Sequence, residues 1–327
     1  IAEQMGFVLE KTAQSITIKE RLDFSCAIFD KNGELIANAP HMPVHLGSMD
    51  STVKSIIKNN STLSNGDIFA INAPYNGGTH LPDITIVNPI WNAERNEIIF
   101  YTAARGHHTD IGGLTPGSMP CNSTNINEEG IYIDNWKIVD KGIFKEKAIK
   151  EKLLSGSYPA RSPSTNIADL KAQIAACKKG EIELLKIVNK YGLETVFRFQ
   201  ELVCQNAENA VRESIKTIKS TEITYQMDND LSGAMREIKI SLKPNTEDSS
   251  IEVDFSGTTM QLESNYNAPL PVTKAAVLYA FRILTGGNIP MNSGIMKPIE
   301  IKIPKASMLS PEYPAAVIAG NVETSQA

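Results

Sequence analysis

Cysteine is scarce in this sequence of 327 residues, and its four cysteines form no recognisable pair. Their positions, 26, 121, 177 and 204, include no C-x-x-C spacing, which excludes a zinc ribbon and a thioredoxin-type redox pair. No serine lies in a G-x-S-x-G nucleophile elbow. We therefore expect the cysteines to be reduced packing residues, and we expect any chemistry to depend on other side chains.

The sequence also lacks an excess of positive charge and any long apolar run. The formal net charge of −5 is spread over the chain, so we expect neither nucleic acid nor a membrane as a partner. No segment approaches the ~20 apolar residues that a membrane span needs, and residues 1–4 do not resemble a signal peptide. These absences predict a cytoplasmic protein, and the length predicts about two domains.

Nucleotide-binding motifs are missing as well. The glycine-rich segment 112–118 has no lysine in the Walker-A position, and no G-x-G-x-x-G opens a helix. We therefore expect no ATP site of either type in this chain. The glycines of this segment serve tight turns or, alternatively, form a backbone nest for an anionic intermediate.

Hydrophobic spacing predicts the order of helices and strands. Apolar residues in segment 1–16 recur at helical spacing, and the runs around Asn32-Gly33 predict a hairpin. A helix is predicted to open at Asn166 with Asp169 in a capping box, and Gly180 and Gly192 are predicted to interrupt the helices. Further helices are predicted at 49–58, 194–218 and 272–284, and strands at 67–71, 84–91, 98–104, 238–242, 251–255 and 299–303.

This order predicts an α+β (mixed α/β) fold rather than a doubly wound sheet, because strands and helices do not alternate regularly. We expect a β-rich metal-site domain at 1–160, a helical segment at 161–222 and a mixed α/β domain at 223–327. The chain starts without Met and stops at 327 with no closing element, so we expect a fragment whose last domain continues further.

The histidines are concentrated in one fifth of the chain. All five lie within 68 consecutive residues, which random placement would produce in roughly one sequence in a hundred. If strands 84–91 and 98–104 form a hairpin, Asp83 lies opposite Gly106, about 5 Å away. His80, Asp83 and His107 then converge at the open end of that hairpin. Imidazole and carboxylate ligands of this kind suit a divalent metal such as Zn, Mn or Fe, whereas the alternative is a capped turn beside surface histidines.

Other residues near these segments are weaker candidates. His108 points away from His107 if the strand continues, so it is a candidate acid/base residue. Glu20 and Asp23 precede a strand and offer a further carboxylate, or they belong to a solvated charge run. His41 and His45 are four apart with an intervening proline, which argues against a helical metal site and leaves structural and site roles equally open.

Six segments, read together, resemble the hydantoinase B/5-oxoprolinase family, which includes the B subunits of ATP-dependent hydantoinases and lactamases and the α subunit of acetone carboxylase. They follow one another in the family's order from one end of the chain to the other. The segments are 18–26 (IKERLDFSC), 39–49 (APHMPVHLGSM), 76–84 (NGGTHLPDI), 105–113 (RGHHTDIGG), 116–120 (PGSMP) and 320–326 (GNVETSQ).

The resemblance implies a two-component, hetero-oligomeric enzyme. A partner A subunit of hydantoinase type uses ATP to phosphorylate a hydantoin, lactam or ketone oxygen, and the B subunit carries out the metal-assisted second step. The implied function is ATP-dependent hydrolysis of a cyclic amide such as a hydantoin, 5-oxoproline or a lactam. The alternatives are a ketone carboxylase α-type subunit, a hydrolase that needs no partner, and a non-catalytic scaffolding subunit.

The resemblance also implies a set of site residues. The implied metal ligands are His80, Asp83 and His107, with His108 as the alternative to His107, and a carboxylate from Asp23 or Glu20. The implied catalytic residues are Arg105, His108 and Asp110, of which His108 or Asp110 would move the proton.

Overall fold

The structure is a computed structural model that describes residues 1–39, 42, 45, 47–227, 236–286 and 289–327. It has the predicted mixed α+β fold, with helices packed on two separate sheets. Within these ranges, no helix combines the length and apolar character that crossing a bilayer requires.

The first sheet has seven strands in the order β2-β1-β5-β4-β3-β6-β7, and all neighbours are antiparallel. Its central strands are buried on both faces, which explains their near-continuous apolar sequence. The strands are β1 (Phe24–Asp30), β2 (Leu35–Asn38), β3 (Ile68–Ile71), β4 (Asp83–Trp91), β5 (Ile98–His107), β6 (Trp136–Asp140) and β7 (Ile143–Phe144).

Helices cover both faces of this sheet. On one face Val53 and Ile56 of a helix pack with Phe69 and Tyr101 of the sheet. On the other face a core that includes Met5 and Leu170 covers the sheet. The helices of this part are α1 (Ala2–Thr12), α2 (Ile16–Lys19), α3 (Met49–Asn59), α4 (Glu146–Leu153) and α5 (Pro163–Tyr191).

The second sheet has four strands in the order β11-β10-β9-β8, with β10 and β11 parallel. Its own apolar core includes Val211, Val253, Val272 and Phe281. The strands are β8 (Thr221–Met227), β9 (Arg236–Asn245), β10 (Ser250–Asp254) and β11 (Ile299–Lys302), and the helices are α6 (Leu193–Ile215), α7 (Leu270–Thr285) and α8 (Ile318–Gln326).

The helix predicted to open at Asn166 begins three residues earlier, with Pro163 in its first turn. The predicted capping box is wrong, because Asn166 and Asp169 point into the protein and bind other elements. The predicted break at Gly180 is also wrong. A Cβ at Gly180 would lie 2.5 Å from Met5 Sδ, so the glycine allows close packing of α5 on α1.

Two other predictions fail at the ends of the chain. Segment 1–16 forms α1 and then α2 rather than one helix, and Ile16 is 61% exposed rather than packed. The last residues, for which we predicted no closing element, form α8.

Candidate metal centre

The hairpin of β4 and β5 pairs Asp83 with His107. The predicted register, with Asp83 opposite Gly106, is wrong by one residue. Near the turn Trp91 pairs with Ile98, as the predicted register requires, but a bulge between Ile90 and Trp91 shifts the rest of the ladder. The shift places the carboxylate and the imidazole directly across from each other.

His80, Asp83 and His107 form a compact cluster in which each offers one ligand atom within 4.8 Å of the others. The Nδ1 of His80 lies 3.0 Å from Asp83 Oδ2, and the Nδ1 of His107 lies 3.3 Å from Asp83 Oδ1. His80 and Asp83 are buried and His107 is half-buried. The cluster is therefore closed on most sides and open near His107.

The loop before His80 is held by two glycines. Gly77 has φ 98°, and a Cβ on it would lie 2.4 Å from the amide nitrogen of Thr52 in α3. A Cβ on Gly78 would lie 2.3 Å from the carbonyl oxygen of Asn72. Because no other residue fits at this distance, the glycines allow the loop to approach the backbone on both sides and bring His80 to the cluster.

Asp83 contacts both histidines of the cluster. Its Oδ2 accepts a hydrogen bond from Thr79 Oγ1 at 2.7 Å and lies 3.1 Å from His45 Nε2. Burial alone would raise the pKa of Asp83, but the surrounding His80, His45 and His107 hold that pKa well below its usual range. Asp83 is therefore ionised at neutral pH, as a metal ligand must be.

His45 is buried on the far side of Asp83, and its Nδ1 lies 3.1 Å from Ser25 Oγ. An ionised Asp83 only accepts, so His45 donates to it from Nε2. Sequence reasoning left His45 between a structural and a site role, and the structure places it against the cluster. His41 lies outside the described residues.

Asp23 lies at the rim, with Oδ2 3.8 Å from His107 Nδ1. Its carbonyl oxygen accepts from the His107 amide at 3.0 Å, and Leu22 before it has φ 55°, which is a strained turn for a residue with a side chain. Glu20 is exposed, and among the described residues no side-chain contact joins it to the cluster. The structure thus brings Asp23, and not Glu20, beside His107.

The carboxylates of Asp83 and Asp23 affect the pKa of the His107 imidazole. Burial would lower the pKa of its imidazole, but the hydrogen bond to Asp83 and the charges of Asp83 and Asp23 outweigh burial and raise that pKa. Its carbonyl oxygen accepts from Thr17 Oγ1 at 2.6 Å, which anchors the strand end.

Arg105 is fully buried beneath the loop and donates to four oxygens. Its Nε binds Thr85 Oγ1 at 2.8 Å, Nη1 binds Ser48 Oγ at 2.6 Å, and Nη2 binds Thr52 Oγ1 at 2.9 Å and the Gly77 carbonyl at 3.3 Å. Burial lowers the pKa of Arg105 to about 10, so it remains charged. These bonds tie β5, α3 and the glycine loop together.

His108 lies on the other face of the sheet, as its alternation with His107 predicts. Its Nε2 lies 3.0 Å from Gln173 Oε1, and its Nδ1 lies 3.2 Å from Asn166 Nδ2. The Gln173 amide donates to the Ile84 and Ala104 carbonyls, which fixes Oε1 as the acceptor from His108. Burial lowers the pKa of His108. Both ring nitrogens of this neutral histidine are therefore occupied.

Asp110 organises the glycine-rich loop. Its carboxylate accepts from the amides of Gly112, Gly117 and Arg161 and pairs with the Arg161 guanidinium at 2.8 Å. Burial would raise the pKa of Asp110, but these donors outweigh burial and lower it. The Gly112 and Gly117 amides that we considered as an anion nest thus bind the chain's own carboxylate.

The cluster fits a divalent metal by a specific criterion. His80 Nδ1 is buried, and in the part of the chain that the structure describes it has no hydrogen-bond partner, although Asp83 Oδ2 is 3.0 Å away. A buried imidazole nitrogen without a hydrogen bond is costly unless another group satisfies it. Two imidazoles and one carboxylate are typical ligands of Zn, Mn and Fe.

A family model and a similar protein both match this chain over its whole length. A model of the family described as hydantoinase B/oxoprolinase matches residues 1–327. The chain is 42% identical to 5-oxoprolinase 1 of Arabidopsis thaliana over its full length, but it spans only 27% of that relative.

Two solved structures share the fold. The ATP-dependent caprolactamase of Pseudomonas jessenii gives a TM-score of 0.86 at 21% identity, covering 99% of this chain and 56% of that one. Nucleotide-free acetone carboxylase gives a TM-score of 0.85 at 18% identity, covering 98% of this chain and 44% of that one. At these identities the likeness concerns the fold alone.

Proposed function

Because the chain belongs to the hydantoinase B/oxoprolinase family, we propose that it is the metal-bearing component of an ATP-dependent cyclic-amide hydrolase. The observation that carries this proposal is the buried cluster of His80, Asp83 and His107, in which His80 Nδ1 makes no hydrogen bond among the described residues. The similarity to 5-oxoprolinase 1 supports a cyclic amide as the substrate. The cluster would hold a divalent metal, with Asp23 rather than Glu20 as the additional carboxylate.

A bound divalent metal would polarise a carbonyl oxygen and lower the pKa of water. The chain's own residues prepare that position. Thr79 and His45 hold Asp83 in one orientation, and the neighbouring imidazoles keep it ionised. Thr17 and the Asp23 carbonyl fix the backbone of His107. Asp23, less buried than Asp83, faces the open side, where it would accept a proton from an approaching group.

Of the three predicted catalytic residues, we propose that Arg105, His108 and Asp110 position the site rather than touch the substrate. Arg105 braces the loop that carries His80, His108 fixes β5 to α5, and Asp110 shapes the glycine-rich loop. All their polar atoms named above are occupied by other protein groups, so none has the free donor or acceptor that proton transfer needs.

We further propose that ATP is used by a partner of the hydantoinase A type. The sequence has no Walker-A or Rossmann glycine motif. The chain also spans only about a quarter of the length of the 5-oxoprolinase relative, so most of that protein lies outside the matched region. Phosphorylation of the amide oxygen by the partner would make it a leaving group for the metal-assisted step.

Reconstitution with such a partner tests this function. The assay would combine the chain, the partner, ATP and a cyclic amide, and would compare Asp83→Asn with the wild type and with His108→Asn as a matched buried control. We expect ring opening to fall at least 100-fold in Asp83→Asn and to be retained within about tenfold in His108→Asn. Full activity of Asp83→Asn would overturn the metal-assisted role and favour a scaffolding subunit.

The same assay separates the alternatives. Ring opening by the chain alone without ATP would identify a hydrolase that needs no partner. Turnover of acetone with bicarbonate, but not of lactams, would identify a ketone carboxylase, the activity named for a structural relative.

A further inference from the structure

The strand β8 lies at one edge of the second sheet, and within the described ranges no strand or loop hydrogen-bonds to its outer side. We propose that this edge pairs with β8 of a second copy of this chain, antiparallel and about a two-fold axis at Thr224. The pairing would join the second sheets of two molecules into one continuous sheet.

β8 lacks the features by which proteins protect an edge strand. Edge strands are usually very short, bulged, charged, interrupted by proline or covered, because their free amide and carbonyl groups invite pairing. The other edges of the two sheets are β2, β7 and β11, with four, two and four residues. β8 has seven residues in unbroken register with β9, of which the first six are exposed. It contains no proline, and Glu222 is its one charged residue.

The core face of the second sheet continues onto β8 without a cover. Ile223 pairs with Ile240 of β9, and Tyr225 pairs with Ile238, which is buried in the core of this sheet. Ile223 and Tyr225 therefore share the core face, yet they are 49% and 44% exposed. A further strand alongside would bring side chains against this apolar surface, which is favourable.

Self-pairing fits the alternation of β8 in a register that uses the whole strand. Directly opposed residues of an antiparallel pair lie on the same face, so odd-numbered residues must oppose odd-numbered residues. A two-fold axis at Thr224 meets this condition and places Ile223 opposite Tyr225 of the second copy. Thr221 then lies opposite Met227, so all seven residues are paired. Pairs of a β-branched and an aromatic side chain stabilise sheets.

The charges on the other face of β8 favour a second copy as the occupant. In this register Glu222 lies opposite the neutral Gln226 of the second copy, whose amide can donate to the carboxylate. Thr224 lies opposite itself, and its neighbour on β9 is Lys239. No two like charges within β8 are therefore opposed across the edge, where they would destabilise the pair.

The contact is small, so we expect a weak dimer. Two seven-residue strands bury less than the ~1,600 Å² of a standard interface, and a Kd on the order of 10–100 μM is expected. Sedimentation velocity of the purified chain over a concentration series measures this Kd. Hydrogen exchange of residues 221–227 at low and high concentration reports whether the outer amides of β8 become protected.

Charge substitutions at Thr224 locate the axis. Thr224→Glu would oppose two carboxylates in the dimer, whereas within one chain the new carboxylate lies beside Lys239. We expect Thr224→Glu and Thr224→Lys each to weaken self-association at least about tenfold. A mixture of the two variants should associate at least about tenfold more tightly than either alone, because the opposed charges are then of opposite sign. Thr195→Glu, at an exposed position of α6, adds the same charge elsewhere and should change the Kd less than about twofold.

Two results would overturn the inference. One is a wild type that stays monomeric well above this concentration range, and the other is a mixture of folded Thr224 variants that associates no better than either alone. A monomeric wild type whose binding to an A-type partner is lost in Thr224→Glu would assign the edge to that partner instead. Circular dichroism checks the folding of each variant. If a variant unfolds, hydrogen exchange of the wild type decides, and protection of 221–227 that does not rise with concentration contradicts the pairing.

Discussion

His45 Nε2 lies 3.1 Å from Asp83 Oδ2, and both side chains are 99% buried. The two residues are 38 positions apart, and Asp83 is the first residue of β4. Since Asp83 Oδ2 also accepts from Thr79 and Oδ1 faces His107, His45 restrains the carboxylate from behind.

His45→Gln is expected to weaken metal binding about 10- to 100-fold while the fold is kept, because residues that orient a ligand typically contribute that much. Competition with a chromogenic chelator measures the affinity for Zn or Mn. Ser25→Ala is the matched control, since it removes only the partner of His45 Nδ1 and should cost less. Unchanged affinity in His45→Gln would show that Asp83 needs no support.

Gly78→Ala is expected to displace His80 and to abolish metal binding. The added Cβ would lie 2.3 Å from the Asn72 carbonyl oxygen, a backbone atom that cannot move away on its own. Gly142→Ala is the comparison for backbone strain without a clash, because Gly142 has φ 86° but no atom lies within 4 Å of its added Cβ. Elemental analysis and thermal unfolding of both variants check the prediction, and normal metal content in Gly78→Ala would contradict it.

Arg105→Met is expected to lower the free energy of unfolding by about 3 kcal/mol or more. Loss of the guanidinium leaves the Thr85, Ser48 and Thr52 hydroxyls without their donor in the buried core. Urea unfolding measures the change, and Arg198→Met on the exposed side of α6 is the control. A loss below 1 kcal/mol would argue that water replaces the arginine.

Glu129 predicts a specific pH dependence of stability. Burial raises its pKa to about 7, although Ser123 and the Val317 and Ile318 amides oppose the rise. The unfolded value is near 4.3, so the folded protein binds the proton more tightly. This contribution is fully present below pH 4.3 and is lost as pH rises through 7.

Glu129→Gln removes the titration, so it isolates this effect. We expect the stability of the wild type relative to Glu129→Gln to fall by on the order of 3 kcal/mol between pH 4.5 and 8. Urea unfolding of both proteins at several pH values measures the difference. A difference that stays constant with pH would show that Glu129 is ionised throughout.

The sequence alone predicts the helices and strands whose formation depends on a local pattern of residues. The hairpin around Asn32-Gly33, α3, α7 and the antiparallel β9–β10 pair form as predicted. The alternation of His107 and His108 also predicted that they face opposite sides of the sheet, which the structure confirms.

Non-local contacts explain the failures. The bulge at Ile90 and Trp91 shifts the hairpin register without any turn signal in the sequence. Gly180 reads as a helix break, but it is a packing site for Met5, 175 positions earlier in the chain. His45 stayed ambiguous because its partners, Ser25 and Asp83, are brought together only by the folded sheet. The strands β6 to β8 were not predicted. β7 has only two residues, whereas Ile223, Tyr225 and Met227 of β8 alternate with polar residues and were a signal that the prediction missed.

Glu20 and Asp23 could not be separated by sequence for a related reason. Both lie in one charged segment, and the distinction depends on the turn at Leu22, whose φ of 55° no pattern indicates. That turn sends the Asp23 carbonyl to the His107 amide and leaves Glu20 exposed.

Metal content measured by elemental analysis tests the central claim most directly. The purified wild type, His80→Ala and the control His108→Asn would be handled identically and checked for folding by circular dichroism. We predict about one equivalent of Zn, Mn or Fe in the wild type and in His108→Asn, and loss of the metal in His80→Ala. A folded wild type that holds none of these metals and takes up none when they are added, or a His80→Ala variant that keeps its metal, would contradict the account.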